Sequence, residues 1–212
     1  GISMKFYDCK TAPSPRRIRI FMAEKGIEVA TIQVDLGSGE QLSDEFRKIN
    51  PRCTVPVLEL DDGTCLSDGL AICWYLESKF PEPNLMGANA REQALVMNWH
   101  EQINTEGFLA GAEALRNFAR GFRDRAITGP RDYQQIPELA ERGRERLQAF
   151  MDVLDARLGQ SAYVALDRFT MADIGAYVCV DFAGWVKIPV LEQWPQIRRW
   201  HEEITKRPSA KA

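Results

Sequence analysis

The sequence predicts an α/β half built on a mixed four-stranded sheet, followed by an all-α helical half. Two observations carry this reading. Strand-like runs alternate with helix signals up to about residue 80, and beyond it strand signals largely stop while apolar residues recur at helical spacing. Between the two, Pro81-Glu82-Pro83-Asn84 reads as a linker. The expected boundaries are 4–81 for the sheet domain, 82–88 for the linker and 89–212 for the helical domain.

Lys5-Phe6-Tyr7-Asp8-Cys9 is the first strand candidate. Ser14-Pro15 reads as an N-cap followed by proline at the first helical position. Ile18, Phe21 and Met22 fall on one helical face, and Gly26 closes the helix. Val29 to Val34 reads as a second strand, residues 43–49 as a short helix, and Val55 to Leu60 as a third strand. Asp62-Gly63 signals a hairpin into Thr64-Cys65-Leu66. Ser67 or Asp68 then caps a helix through Ile72, Tyr75 and Leu76 that stops at Phe80-Pro81. The first connection crosses over, so the first two strands should be parallel, whereas the last two are antiparallel. That order matches a thioredoxin-like sheet with helices on both faces.

In the second half, Leu95, Val96, Trp99 and Ile103 lie at helical spacing, and Leu115, Phe118 and Phe122 continue it. Gly107, Gly111 and Gly121 weigh against one unbroken helix there. Leu147, Phe150, Met151, Leu154 and Leu158 mark another helix, ended by Gly159. Further helices start at Thr170 and near Pro195.

Composition narrows the function classes. Apolar residues make up 45% of the chain and the net charge is −3, so a substantial core is available and the clustered basic surplus of a nucleic-acid binder is missing. Five cysteines at irregular spacing and two histidines contain no zinc or disulfide pattern. No apolar run approaches membrane-spanning length. Gly1-Ile2-Ser3 before Met4 reads as a cloning remnant, with no signal peptide. A cytoplasmic protein with neither nucleic-acid nor membrane partner, and no metal, is expected.

Four constellations carry chemistry. In Asn50-Pro51-Arg52-Cys53-Thr54-Val55-Pro56, a proline enters a strand. It is either an ordinary trans strand start or a cis turn that points the Val55 backbone outward to pair with an extended peptide. In Ser67-Asp68-Gly69, a helix start offers N–H groups and a carboxylate, for a ligand or for plain capping. Ser14 opens the first helix, where a hydroxyl can donate to a thiolate and lower its pKa, with Thr11 as a rival donor. Thr170-Met171-Ala172-Asp173 is a capping box with aspartate for the usual glutamate, and serves stability.

In this order and spacing, Ser14-Pro15-Arg16-Arg17-Ile18-Arg19 through Glu24-Lys25-Gly26-Ile27, Val55-Pro56, Asp68-Gly69-Leu70-Ala71-Ile72 and Thr170-Met171-Ala172-Asp173 resemble the cytosolic glutathione transferase family, from about Met4 to Pro208. The resemblance implies a thioredoxin-like domain with a helical bundle, usually a homodimer, that activates the thiol of glutathione for attack on a hydrophobic electrophile in detoxification. It places the cysteinyl contact on Val55, before a cis Pro56, and the γ-glutamyl end on Asp68 and Gly69. The usual pattern there is glutamate then serine, so the carboxylate is one methylene shorter and a hydroxyl is missing. Gln41 and Arg52 fall near the glycyl end, and Thr54 joins the expected glutathione set. The activator is Ser14, Thr11 or Tyr7, with Ser14 favoured. Phe108, Leu109, Phe118 and Phe122 are candidate walls for the electrophile, although such spacing also suits plain core. The same thiolate would serve a peroxidase, a dehalogenase or an isomerase, and the fold would also serve a non-catalytic glutathione-binding regulator.

Overall fold

The computed structural model describes residues 3–212; Gly1 and Ile2, read above as part of a cloning remnant, lie outside the described residues. The chain forms two compact units. Among the described residues, the first holds 3–83 together with Thr128–Asp132 and Ala212, and the second holds Asn84–Ile127 and Tyr133–Lys211.

In the first unit, β1 (Lys5–Asp8), β2 (Ala30–Gln33), β3 (Val57–Glu59) and β4 (Cys65–Leu66) form one sheet in the order β2-β1-β3-β4. β1 pairs parallel with β2 and antiparallel with β3, and β3 pairs antiparallel with β4. This is the mixed thioredoxin-like sheet the sequence predicts. β3 starts at Val57, two residues later than expected, because Pro56 has no N–H for the ladder. Alternation gives the sheet two buried faces. Tyr7 and Val57 pack with Val34 and Phe46 under α2 (Asp44–Ile49). Phe6 and Leu58, both fully buried, point the other way, toward α1 (Pro13–Lys25) and α3 (Gly69–Lys79).

The helix ends show where local signals compete. α1 starts two residues before the expected position: Ala12 is the N-cap and Pro13 takes the first helical position. Pro15 is tolerated two positions further in because the first-turn N–H groups have no intrahelical acceptor. Ser14 therefore does not cap the helix. Gly26 closes α1 in the left-handed conformation, at φ 66°. The preceding Lys25 buries its ammonium completely and bonds to Glu77 Oε1 at 2.6 Å, the Phe80 carbonyl at 2.7 Å and the Pro83 carbonyl at 2.6 Å. A buried cation is tolerable only when so paired.

In the second unit, α4 (Ala90–Gln102), a π-helical turn (Ile103–Phe108) and α5 (Leu109–Arg116) run on without a break. Gly107 and Gly111 do not interrupt this helix; they let other elements approach it. A Cβ at Gly107 would meet Cys179 Sγ at 2.8 Å, and one at Gly111 would meet the Phe182 ring at 2.7 Å. The helix ends at Asn117, whose amide donates to the Glu113 carbonyl at 2.9 Å and accepts the Ile136 N–H at 3.0 Å. Of the residues expected to continue the helix, Phe118 therefore lies in the following turn and Phe122 in a short 3-10 helix (Arg120–Phe122). α6 (Pro137–Leu158), α7 (Met171–Ala183), α8 (Val190–Gln193) and α9 (Pro195–Thr205) complete the unit.

α7 is its centre: every residue of it except Asp181 is buried. The capping box forms as predicted. Thr170 Oγ1 accepts the Ala172 N–H at 3.2 Å, and Asp173 Oδ2 accepts the Thr170 N–H at 3.0 Å. Asp173 does more than cap. Its Oδ1 also accepts the Val164 N–H at 3.0 Å and the Trp200 indole N–H at 2.9 Å, which ties α7 to the preceding loop and to α9. Burial pushes its pKa up to about 6, against the pull of these donors.

Asp173→Ala would leave three buried donors without an acceptor. Each orphan costs about 1–3 kcal/mol, so chemical denaturation should show a loss of at least about 3 kcal/mol. Glutathione affinity of the folded fraction should change little.

Candidate functional site

Strand register brings the first three constellations to one end of the sheet. β1 runs toward that end and hands over to the loop 9–12 and the start of α1. Tyr7 lies opposite Val57, so Val55-Pro56 enters β3 at the same end. Leu66 lies opposite Leu58, so β4 leaves there as well and Ser67-Asp68-Gly69 follows at once. The start of α3 rests against α1: a Cβ at Gly69 would lie 3.9 Å from both Arg17 Nη2 and Ile18 Cδ1.

The Val55–Pro56 peptide is cis. β3 begins only at Val57, and among the described residues the Val55 N–H and carbonyl have no backbone partner, while its side chain packs on the Tyr7–Phe46 cluster. The backbone edge of Val55 is thus unpaired among the described residues. The loop before it is held by Asn50, a buried side chain that sequence reasoning did not single out. Its amide donates to the Thr54 carbonyl and to Thr54 Oγ1, each at 2.9 Å, and its Oδ1 accepts the Arg52 N–H at 3.0 Å. Cys53 sits at φ 57°, a left-handed conformation unusual for a residue with a side chain. The signal for Asn50 in the sequence was the Asn-Pro pair, which marks a turn but not a buried amide.

Asp68 is the N-cap residue of α3, but its side chain caps nothing and is exposed. Gly69 opens the helix with its N–H unclaimed by a cap. Gln41 lies in the short helical turn Glu40–Leu42, and among the described residues its buried Oε1 has no hydrogen-bond partner. Arg52 is exposed, and Thr54 serves the Asn50 network.

The three activator candidates differ sharply. Tyr7 is buried, and its hydroxyl donates to Glu59 Oε1 at 3.4 Å. Burial first, then the Glu59 charge, raises its pKa, so the hydroxyl keeps its proton and spends it on Glu59. Thr11 is exposed and shares a 3.4 Å contact with Cys9 Sγ. Ser14 stands in the first turn of α1 between Pro13 and Pro15. Both prolines lack an N–H, so the Ser14 N–H is the donor the first turn has left over, beside its own hydroxyl. The loop is braced by Asp8, which pairs with Arg19 at 2.6 Å and accepts from Gln33 Nε2 at 2.8 Å, while Arg19 also reaches the Cys9 carbonyl at 3.4 Å and the Lys10 carbonyl at 3.3 Å. Among the cysteines, burial pushes the Cys73 thiol up to about 12, and burial with the Glu59 charge raises Cys65, so neither of these two is primed as a nucleophile.

The four candidate wall residues lie in the second unit. Phe108 is buried and stacks on Phe182 with centroids 6.1 Å apart, which makes it core. Leu109 and Phe118 are exposed, at 54% and 77%, and Phe122 is half-buried under the Arg116 guanidinium.

Comparison with known proteins gives the family. Residues 11–79 match the family model described as "Glutathione S-transferase, N-terminal domain", and residues 123–208 match "Glutathione S-transferase, C-terminal domain". Glutathione S-transferase 2 of Saccharomyces cerevisiae is 32% identical over 211 residues, 98% of this chain and 88% of that protein. Disulfide-bond oxidoreductase YfcG of Escherichia coli is 29% identical over 95% of this chain and 91% of its own. The crystal structure of a glutathione S-transferase domain-containing protein from Marinobacter aquaeolei VT8 superposes with a TM-score of 0.89 at 35% identity, covering 97% of this chain and 98% of the other. With both domains matched and relatives aligned along nearly its whole length, the chain belongs to the glutathione S-transferase family.

Proposed function

We propose that this chain is a transferase that binds glutathione at the sheet end and activates its thiol for attack on a hydrophobic electrophile. The observation that carries the reading is the cis Val55–Pro56 turn, with the Val55 backbone unpaired, at the same end of the sheet as the starts of α1 and α3. An extended cysteinyl peptide fits such an edge by strand-like pairing. Asp68 suits the γ-glutamyl ammonium, and the Gly69 N–H with Arg17 nearby suits its carboxylate. Gln41, Arg52 and Thr54 lie on the flanking loops for the glycyl end.

In this reading Ser14 donates its hydroxyl proton as a hydrogen bond to the sulfur, and the free N–H of the helix start adds positive potential. Both favour the thiolate, which is the nucleophile. The sulfur displaces a leaving group or adds to an activated carbon of the electrophile, and the thiol proton passes to solvent. Thr11 is the remaining side-chain alternative; the Tyr7 hydroxyl is already engaged. A second reading, disulfide reduction by the same bound thiolate, draws support from the name of the Escherichia coli relative.

A homodimer fits the exposed outer face of α3. There Leu66, Leu70, Ala71, Trp74 and Tyr75 line an open depression of about 480 Å³, and Trp74 is 54% exposed. We assign the protein to the cytoplasm and to detoxification on the family resemblance.

Ser14→Ala should lower kcat with a chlorinated nitroarene by about 10- to 100-fold, the loss of one hydrogen bond to a charged group. A pH titration of thiolate absorbance should show the bound thiol returning toward about 8.5; unchanged turnover and titration would shift the role to Thr11. Gly69→Ser should tighten glutathione binding by about two- to tenfold in calorimetry, because it restores a hydroxyl worth about 0.5–1.5 kcal/mol where the new Cβ meets only ordinary contacts. Trp74→Arg should turn a dimer into monomer in sedimentation, since a charge cannot be buried unpaired in an apolar contact.

A further inference from the structure

The loop that joins α5 to α6 carries chemistry the transferase reading does not use. Residues 116–132 hold five arginines and two aspartates, in a chain whose net charge is −3. Arg116, the last residue of α5, is half-buried. Its Nη1 donates to the Arg125 carbonyl at 3.2 Å, and its guanidinium carbon lies 4.5 Å from the centre of the Phe122 ring. Among the described residues it meets no carboxylate. Burial first, then the neighbouring Arg125 charge, draws its pKa down to about 10, as for a cation short of counter-charge.

The frame around this guanidinium is fixed. Gln135 Nε2 donates to the Arg116 carbonyl at 3.0 Å and to the Ala119 carbonyl at 2.7 Å, and Asn117 bonds Ile136. Phe118, two residues along, presents a ring that is 77% exposed. A cation at a helix C-terminus often serves only the helix dipole, but that role calls for neither a half-buried guanidinium nor a ring under it. A planar fork with open donors, beside an aromatic face, suits a planar aromatic anion.

We propose that Arg116, with Phe122 against it, forms a subsite for the acidic group of an aromatic ligand. The second substrate would then be an aromatic electrophile bearing a carboxylate or sulfonate. The word substrate rests on the transferase reading; the binding subsite does not. The guanidinium fork takes the two acid oxygens, and the Phe122 ring takes the aromatic body.

The test is calorimetry on the full chain with 2-naphthalenesulfonate and its neutral sulfonamide. The wild type should bind the sulfonate at least about tenfold more tightly, the worth of one charge-assisted pair. Arg116→Gln should lose that preference and keep its sulfonamide affinity. Equal affinity for both ligands in the wild type, or a preference that survives Arg116→Gln, would overturn the proposal. If Arg116→Gln melts early, Arg116→Lys replaces it: a compact ammonium cannot form the fork, so the preference should fall at least about threefold. In turnover, kcat/KM for 4-chloro-3-nitrobenzoate over its amide should follow the same pattern. Turnover of neither compound with glutathione would count against the transferase reading, and sulfonate binding would still decide the subsite.

Discussion

The ion pair between Asp8 and Arg19 is the constraint on which the candidate site depends. Asp8 is 1% exposed at the end of the central strand, and a buried carboxylate is tolerable only with partners. Arg19 supplies one charge and Gln33 one hydrogen bond. The pair therefore sets the distance between β1, β2 and α1. Because Arg19 spends its other N–H groups on the Cys9 and Lys10 carbonyls, it also fixes the loop that leads into Ser14. Replacing one partner alone would strand a charge in the interior, which is far more damaging than losing a surface pair.

The second unit is organised on the same principle with a different centre. Asp173 gathers donors from its own helix start, from Val164 and from Trp200. Around it the packing tightens through glycines rather than large side chains. At Gly143 a Cβ would come within 2.6 Å of the Ala110 carbonyl, so α6 and α5 lie almost backbone to backbone. In both units a buried polar hub sets the geometry, and apolar packing supplies the bulk of the stability.

The sequence showed the sheet order well, because strand, turn and crossover signals agreed. The parallel β1–β2 pair, the Asp62-Gly63 hairpin and the left-handed Gly26 all follow from local rules that tertiary contacts did not override. Helix ends were less legible. Pro13 and Pro15 compete for one role, and only the three-dimensional path of the loop decides between them. Gly107 and Gly111 read as breaks because their close neighbours, Phe150 and Cys179 for the one and Leu147 and Phe182 for the other, lie far along the chain. Of the candidate site, the motif-borne residues Val55, Pro56, Asp68 and Gly69 were readable. Asn50, Asp8 and Arg19 were not, since a buried polar network leaves no periodicity in a chain. Phe108 shows the reverse limit: helical spacing alone cannot tell a pocket wall from a core residue.

The two prolines of the first turn of α1 have a consequence for ligand selection. An unmodified helix start presents several N–H groups in a cup, the geometry that suits the many oxygens of a phosphate. Here Pro13 and Pro15 strip that cup nearly bare, and one N–H and one hydroxyl remain, both on Ser14. Such a seat is poorly matched to an oxyanion that must share its charge among several donors. It is well matched to a single large, polarisable atom, and sulfur is the one common biological anion centre of that kind.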